Sequence, residues 1–145
     1  MIVKTLLKAK ASNQVATASA DQSVDEVAKL LHTKHIGALV VTNADNGIVG
    51  ILSERDIARG VALHGATVHT MKVRDLMTSA VLVCSPDDTL EKLMVIMTNN
   101  RVRHLPVVED GQLVGIITIG DVVKNRLDEC ALQVDSLRDY VMTSR

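Results

Sequence analysis

Two short segments of the chain place a hydroxyl group and a carboxylate three residues apart. They read Ser53-Glu-Arg-Asp56 and Thr118-Ile-Gly-Asp121, and each follows an apolar run that begins with glycine. A hydroxyl residue with an acid three positions later, directly before an apolar helix, is typical of a capping box. The hydroxyl and the free N–H groups at a helix N-terminus also suit a phosphate, and the carboxylate can accept the two hydroxyls of a ribose. The residues themselves leave both interpretations open.

These segments belong to an internal repeat, which indicates two copies of one structural unit. Residues 50–56 align with residues 115–121 at an offset of 65 positions, and residues 36–41 align with residues 102–107 at an offset of 66. The difference of one residue falls in the polar loops between these segments, where length changes are tolerated. The repeat covers nearly the whole chain.

Each copy predicts the same order of elements: a short strand, an amphipathic helix, two further strands and a closing helix. The strands are almost continuously apolar, which favours sheets that are covered on both faces. Because one unit cannot cover both faces of its own sheet, we expect the two to pack sheet to sheet, with pseudo-twofold symmetry and clefts between them. The predicted fold class is therefore α+β (mixed α/β), with two β-α-β-β-α repeats. The strands are expected at residues 14–18, 38–42 and 48–52 and at residues 80–84, 105–108 and 113–117, with helices from Ser23 and Asp88 and again from near Arg55 and Gly120.

Four segments follow from this pattern: an N-terminal helix or arm over residues 1–10, a first repeat over 11–66, a second repeat over 67–128 and a C-terminal helical extension over 129–145. The last helix carries an apolar stripe at alternating steps of four and three residues, the spacing of a coiled-coil seam. The stripe can pack on the body of the chain or on a second chain, and we expect its early part to do the former and its later part the latter. A homodimer is therefore expected. The stripe consists of Val123, Leu127, Cys130, Val134, Leu137 and Val141.

The composition narrows the classes of partner. Hydrophobic residues make up 47% of the 145 residues, which is plentiful for one small domain and favours a partner chain. The net charge of −1 and the single aromatic residue, Tyr140, disfavour nucleic acid, since they offer neither attraction to phosphates nor a stacking platform. No apolar run is long enough for a membrane span or a signal peptide, so we expect a cytoplasmic protein. Cys84 and Cys130 are expected to be buried thiols.

The duplicated pattern resembles the CBS (cystathionine β-synthase) domain. The resemblance rests on a glycine, two hydrophobic residues, Ser or Thr, and an Asp three positions later, at 50–56 and 115–121, together with Arg103-His-Leu-Pro-Val-Val and Val73-Arg-Asp-Leu-Met-Thr. The tandem looks like a CBS pair over about residues 11–128 of a free-standing CBS-domain protein. This resemblance implies an adenine nucleotide (AMP, ADP, ATP, NAD or S-adenosylmethionine) in the clefts between the repeats, a dimer, and regulation of an attached or separate protein.

The resemblance also implies roles for a set of candidate ligand-binding residues. Arg103 and His104 would bind phosphate, although a solvated surface pair is the alternative. Their partners in the first repeat are Gly37 and Ala38, so the two clefts are expected to differ in their affinity for an anion. Because the chain has almost no aromatic residues, a base would lie between aliphatic side chains. The full set is Ser53, Arg55, Asp56, Thr118 and Asp121 at the helix starts, Lys34, Arg101, Arg103 and His104 for charge, and Val15, Ala16, Ile36, Val81, Leu82 and Val102 around the base.

Other spacings that could support catalysis or metal binding are weak. His32-x-x-His35 and the pair His64 and His69 have no further ligand at the spacing of a tetrahedral site. The sequence contains no nucleophile elbow, P-loop or pair of catalytic acids. We therefore expect a regulatory sensor with no enzymatic activity, no metal and no catalytic cofactor. A structural dimerisation module with vestigial pockets is the alternative.

Overall fold

The computed structural model describes residues 1–10 and 15–143, and the order of its elements follows the predicted repeat. Within these ranges a helix precedes each repeat, and the closing helix of each repeat begins directly after its last strand. The elements are α1 (Val3–Ala9), β1 (Thr17–Ala18), α2 (Val24–Lys34), β2 (Ala38–Thr42), β3 (Ile48–Ser53), α3 (Glu54–His64), a 3-10 helix (Gly65–Thr70), α4 (Val73–Leu76), α5 (Leu90–Asn100), β4 (His104–Glu109), β5 (Gln112–Thr118) and α6 (Ile119–Thr143).

The strands pair in the same register in both repeats. β2 and β3 are antiparallel, with Val40 opposite Ile51, and β4 and β5 are antiparallel, with Pro106 opposite Ile116. β1 adds a parallel strand beside β2. Both antiparallel pairs have an irregularity at the matching position near their loop, where a one-residue difference between the repeats was expected. The predicted α+β fold of two repeats is confirmed.

The predicted strand over residues 80–84 is wrong. Of these residues, all of which the structure describes, only Cys84 pairs with a strand: its N–H donates to the Pro106 carbonyl and its own carbonyl accepts from the Val108 N–H, both at 2.9 Å. Turns on either side account for the difference. The Val81 N–H donates to the Ser79 carbonyl, two residues earlier, at 3.0 Å. The chain turns again after Cys84, before α5 begins.

The helices begin at or close to the predicted positions. Ser23 caps α2 as expected, since its hydroxyl accepts a hydrogen bond from the Glu26 N–H at 3.2 Å. α5 is capped by Thr89 rather than opened by Asp88. Gln14, at the predicted start of the first strand, lies outside the described residues.

Each repeat is completed by the segment that precedes the other repeat. Val3 and Leu7 of α1 are buried in the core of the second repeat, among residues of α5, β4 and β5. Val73 of α4 is buried in the core of the first repeat, among residues of α2, β2 and β3. The packing therefore crosses the boundary between the predicted segments 11–66 and 67–128.

The two exchanged segments dock through matching backbone hydrogen bonds. The Val3 N–H donates to the Asp88 carbonyl, and the Val73 N–H donates to the Gln22 carbonyl, both at 2.9 Å. Each accepting carbonyl lies just before the first helix of the repeat that is being completed. The same local geometry is therefore used twice.

The glycine that opens each repeated motif permits the close approach of these segments. A Cβ atom on Gly115 would lie 2.8 Å from Leu7 Cδ2, and one on Gly50 would lie 2.7 Å from Met77 Sδ. Both distances are shorter than van der Waals contact, so the ends of the Leu7 and Met77 side chains would have to shift to admit a larger residue. At Gly50 the backbone carbonyl oxygen of Thr78, 3.1 Å from the same Cβ position, adds a contact that cannot move as easily.

The apolar stripe of α6 is not buried beyond the first turn, although polar side chains of the second turn still contact the body, as Arg126 does with Glu91. Val122 is buried in the second core, whereas Val123 and Leu127 are 50% and 64% exposed. The expected packing of the early stripe on the body is therefore wrong. Because α6 continues directly from β5, the end of that strand fixes which residue of the helix faces the core, and that residue is Val122.

We expect Leu7→Ala to destabilise the protein although Leu7 lies outside both predicted repeats. Removing a buried leucine side chain costs about 2–5 kcal/mol in the free energy of unfolding. Leu63→Ala, at an exposed position of α3, is the matched control and should change it by less than about 0.5 kcal/mol. The measurement is denaturant unfolding of both variants, and equal midpoints for Leu7→Ala and wild type would contradict the exchanged packing.

Candidate ligand-binding clefts

Two clefts lie between the repeats and meet where Gly37 contacts His104. A Cβ atom on Gly37 would lie 3.4 Å from two atoms of the His104 ring, so the ring packs against bare backbone. Both residues line both clefts. The first cleft has a volume of about 380 Å³ and the second a volume of about 470 Å³.

In the first cleft, basic side chains converge on the N-terminus of α3. α5 ends at Asn100, and the left-handed backbone of the next residue, Arg101 (φ 53°), turns the chain toward β4. This turn places the residues between α5 and β4 beside the start of α3. Among the described residues, four arginines line this cleft against two acidic side chains, so its net charge favours an anion. The arginines are Arg55, Arg59, Arg101 and Arg103, and the acids are Glu54 and Asp56.

Asp56 is a buried helix cap in this cleft. Its Oδ2 atom accepts hydrogen bonds from the N–H and the hydroxyl of Ser53, at 2.9 and 3.0 Å. Its Oδ1 atom accepts from the Thr78 hydroxyl at 3.2 Å and from Arg59 at 3.4 Å. The capping interpretation of the motif is therefore confirmed, and one carboxylate oxygen carries the cap alone.

The second cleft uses the matching residues of the other repeat. Asp121 Oδ2 accepts from the Thr118 N–H at 2.9 Å, and the Thr118 hydroxyl accepts from the Asp121 N–H at 3.1 Å. Lys10 Nζ donates to the same Asp121 oxygen at 2.9 Å. Burial acts to raise the pKa of Asp121, but the Thr118 N–H and Lys10 outweigh it and hold that pKa below its usual 3.8.

Lys10 and Thr78 contact matching groups in the two clefts but different oxygens of the carboxylate, since Thr78 binds Asp56 Oδ1 and Lys10 binds Asp121 Oδ2. In the first repeat, the Ile51 carbonyl accepts a hydrogen bond from the Thr78 N–H at 2.9 Å, and Asp56 Oδ1 accepts one from the Thr78 hydroxyl. In the second cleft, the Ile116 carbonyl accepts from Lys10 Nζ at 2.9 Å, as does Asp121. One charged side chain therefore replaces a backbone amide and a neutral hydroxyl.

Sequence reasoning missed Lys10, although a signal for its segment is present. Residues 1–7 read Met-Ile-Val-Lys-Thr-Leu-Leu and residues 71–77 read Met-Lys-Val-Arg-Asp-Leu-Met. Their offset is 70 positions, against 65 and 66 elsewhere in the repeat, and this shift concealed the match. Ile51, Glu54, Arg59 and Thr78 of the first cleft were missed as well.

The structure brings most of the predicted site residues to one cleft or the other. Val81 and Leu82 do not line either cleft in the described part of the chain, because the strand that would have carried them is not formed; Leu82 is 40% exposed. Asp121 reaches the second cleft through its contact with Lys10. Ser53, Arg55, Asp56, Arg101, Val102, Arg103 and His104 line the first cleft, and Val15, Ala16, Lys34, Ile36, Thr118 and again His104 line the second.

The imidazole of His104 lines both clefts, and its surroundings favour the neutral form of the ring over the protonated form. Burial lowers the pKa of its imidazole below the usual 6.5, and Arg103 and Arg55 act in the same direction. The carboxylates of Glu54 and Asp121 act to raise it but do not offset the burial. The ring is therefore largely neutral at pH 7.

Other reactive groups in the structure do not form a further site. Across residues 1–10 and 15–143, no three His, Cys, Asp or Glu side chains are grouped to hold a metal ion. Cys84 is buried as expected, and burial raises the pKa of its thiol to about 12. Cys130 is exposed, contrary to expectation, because the stripe that carries it is not covered. None of the described helices is both long and apolar enough to cross a membrane.

We expect the His104 imidazole to titrate below pH 6.5 and to make stability depend on pH. Because its folded-state pKa is lowered, the unfolded chain binds the proton more readily, and stability is lost as the pH falls from about 6.5 through the folded-state pKa. An NMR titration of the ring gives the pKa, and denaturant unfolding at several pH values gives the slope of the free energy of unfolding against pH. His104→Gln should reduce this slope, whereas His64→Gln, at an exposed position, should not change it. Equal slopes for these two variants would show that the pH dependence does not come from His104.

Comparison with known proteins agrees with this architecture. The CBS domain family model matches residues 4–63 and 73–128. CBSX3, a mitochondrial CBS domain-containing protein of Arabidopsis thaliana, is 32% identical over 125 residues, which cover 83% of this chain and 61% of that protein. The chain thus spans about three fifths of the length of this relative.

Two solved structures share the fold over most of their length. The CBS-domain containing protein ATU1752 from Agrobacterium tumefaciens is 47% identical with a TM-score of 0.83, covering 86% of this chain and 92% of that one. The CBS domain pair of protein MJ0100, in complex with 5′-methylthioadenosine and S-adenosyl-L-methionine, is 26% identical with a TM-score of 0.79, covering 89% and 98%. With two family matches, one on each repeat, the chain belongs to the CBS domain family and carries a tandem CBS pair.

Proposed function

We propose that the chain is a regulatory module that binds an adenine nucleotide between its repeats and passes a conformational change to a partner protein. The observation that carries this proposal is the first cleft, where a capped helix N-terminus, a carboxylate and four arginines converge. No nucleophile and base are paired there, and the role we assign is binding rather than catalysis. The ligand classes are those that contain adenosine: AMP, ADP, ATP, NAD or S-adenosylmethionine.

The arginines of the first cleft are suited to the phosphate of such a ligand. Guanidinium groups form paired, charge-assisted hydrogen bonds with phosphate oxygens, and the N-terminus of α3 adds its own positive potential. Arg103 and Arg101 belong to the second repeat, whereas Arg55 and Arg59 belong to the first. A phosphate between them would hold the two repeats together. This charge favours a phosphorylated ligand over a cationic one at this cleft.

Asp56 can cap α3 and accept a hydrogen bond from a ribose hydroxyl at the same time. Its Oδ2 atom is used by Ser53, whereas its Oδ1 atom is held by the Thr78 hydroxyl and by Arg59, at the longer distances of 3.2 and 3.4 Å. The Arg59 side chain is 66% exposed, so it can turn to solvent or to the phosphate at little cost. A ribose hydroxyl would then take its place on Oδ1.

Aliphatic side chains would contact the base. Ile51 and Val102 line the first cleft, and Val15, Ala16 and Ile36 line the second. MJ0100 supports an adenosine-containing ligand for the fold, since its CBS pair was solved with two such molecules. Because Gly37 and His104 line both clefts, occupancy of one should alter the other.

We also propose that two copies of the chain associate through α5 and α6. An apolar groove of about 210 Å³ lies between these helices, and the exposed stripe of α6 continues from it. Its first half includes Leu127 and Cys130, which line the groove. Leu137, further along, is 65% exposed. Covering this surface with a second copy removes apolar area from water.

The alternative is a structural dimerisation module whose clefts bind nothing. The capping roles of Asp56 and Asp121 are compatible with this alternative, because both carboxylates already have partners. Ligand-dependent stability separates the two functions. A ligand at a hundredfold excess over its Kd adds about 2.7 kcal/mol to the free energy of unfolding, and a vestigial cleft adds nothing.

We expect AMP, ATP, NAD or S-adenosylmethionine to raise the melting temperature, and Asp56→Asn to weaken the ligand that does so. Loss of one charge-assisted hydrogen bond to a ribose hydroxyl weakens binding about ten- to a hundredfold. A 2′,3′-dideoxy analogue should bind the wild type poorly and lose this disadvantage in the variant. Calorimetry measures both affinities, with the exposed Asp45→Asn as the control.

The free energy of unfolding of Asp56→Asn does not distinguish the two functions, because loss of the helix cap costs about 1 kcal/mol under either one. Binding of natural and dideoxy nucleotides with equal affinity to the wild type would show that Asp56 is a cap only. Absence of stabilisation by all four ligands would favour the dimerisation module.

We expect Leu127→Asp and Leu137→Asp to weaken the homodimer more than about tenfold, because a charge in an apolar seam is costly to desolvate. Leu63→Asp, which is exposed on α3 outside the stripe, should leave it unchanged. Light scattering at micromolar concentration measures the mass of each variant. A monomeric wild type, or dissociation by Leu63→Asp alone, would contradict the proposed interface.

A further inference from the structure

We infer that His104 takes up a proton when a phosphorylated ligand binds in the first cleft, so that this cleft responds to pH as well as to nucleotide. The proton comes from solvent and goes to the unprotonated nitrogen of the imidazole ring. This inference rests on the proposed function and adds a regulation of the same cleft.

The His104 ring lies where the two clefts meet, without a hydrogen-bond partner among the described residues. Its Cε1 and Nε2 atoms would both lie 3.4 Å from a Cβ atom on Gly37, and the ring lines both clefts. No described side chain forms a hydrogen bond with either ring nitrogen. The matching residue of the first repeat is Ala38, so a single titratable ring occupies the junction. Its nitrogens are therefore available to a ligand.

Charged groups from several elements face this ring. Burial favours its neutral form most strongly, and Arg103 and Arg55 act in the same direction. Glu54 of α3 and Asp121 of α6 favour the protonated form but do not offset the burial. The neutral form thus depends in part on two arginines that line the first cleft. The other charged or titratable groups are Asp56, Arg59 and Arg101 in the first cleft and Lys10, Lys34 and His35 in the second.

A phosphate among the arginines of the first cleft reverses this balance. It pairs with guanidinium groups, whose positive charge then no longer opposes protonation of the ring, and it brings negative charge of its own. An opposite charge within about 4–6 Å favours the charged form of an ionisable group. Binding of a phosphorylated ligand therefore raises the pKa of His104. A nucleoside brings no charge and covers the ring further, so it does not.

The direction of the pH dependence follows from linkage. Because the ligand raises the pKa of His104, the complex holds more protons than the free protein, and the protonated protein binds the ligand more tightly. The affinity for AMP gained from His104 is absent above the pKa of the complex. It grows as the pH falls through that pKa and is complete below the lower pKa of the free protein.

The first experiment uses the wild-type chain alone. An NMR titration against pH gives the pKa of the His104 ring in the free protein, with saturating AMP and with saturating adenosine. The methyl signals of Ile51, which lines the first cleft, and of Ile36, which lines the second, report which cleft is filled. We expect AMP to raise the pKa of His104 as it shifts Ile51, and adenosine to leave that pKa unchanged or lower it.

The second experiment counts protons. Calorimetry of AMP binding in buffers of different ionisation enthalpy gives the number taken up. His104→Gln keeps a polar side chain that does not titrate, and His64→Gln, at an exposed position, is the matched control. The AMP phosphate itself titrates near about pH 6, but this contribution is common to all three proteins and cancels in their differences.

We expect the ratio of AMP affinities of wild type and His104→Gln to rise about tenfold or more between about pH 8.5 and pH 5, because a nearby opposite charge moves a pKa by about 1–3 and each whole pKa is a factor of ten in affinity. Proton uptake should be smaller in His104→Gln than in wild type. His64→Gln should match the wild type in both measurements.

The negative results are distinguishable. If AMP shifts Ile51 but does not raise the pKa of His104, or if adenosine raises it equally, the inference about His104 is wrong and the proposed function stands. If neither AMP nor ATP, NAD or S-adenosylmethionine shifts Ile51 or Ile36, the proposed function is wrong and the inference is lost with it.

Discussion

Neither repeat of this chain can cover its own sheet, and the rest of the structure follows from that shortage. A unit of short apolar strands with two helices leaves an apolar face in water, which is unstable. The segment that precedes the other repeat covers this face, since α1 packs on the second repeat and α4 packs on the first. Because each repeat depends on a segment attached to the other, the two are held in a fixed relation, and the clefts form at their junction.

The exchanged segments also explain how two similar motifs acquire different chemistry. Thr118 and Asp121 repeat the geometry of Ser53 and Asp56 almost bond for bond. The difference lies in what the docked segment brings to the carboxylate, a threonine hydroxyl in one case and the Lys10 ammonium group in the other. An asymmetry between the clefts was predicted from Arg103 and His104, but His104 lines both clefts and only Arg103 of the two distinguishes them. Lys10 is a further source of asymmetry, and it lies outside both predicted repeats.

The sequence was informative where the pattern is local and duplicated. Capping boxes and strand positions follow from residues close together in the chain, and they predicted the helix starts after Ser53 and Thr118. They did not predict that Arg103 lines the same cleft as Ser53, because these two residues belong to different repeats. It failed where long-range packing decides. Apolar residues such as Leu82 suggested a strand, but turns on either side prevent pairing, and Val122 rather than Val123 faces the core because the strand before it sets the helix rotation. Lys10 reaches Asp121 across more than a hundred residues, a contact that no local pattern predicts.

The exchange of α1 and α4 has a consequence for the two halves of the chain taken separately. Two half-length molecules, each with one docking segment and one repeat, would reproduce these contacts only by swapping their segments. In the present chain, a protease cut within the 3-10 helix between the repeats would leave each fragment with a segment docked in the other, so the halves would stay intertwined after the backbone that connects them is gone.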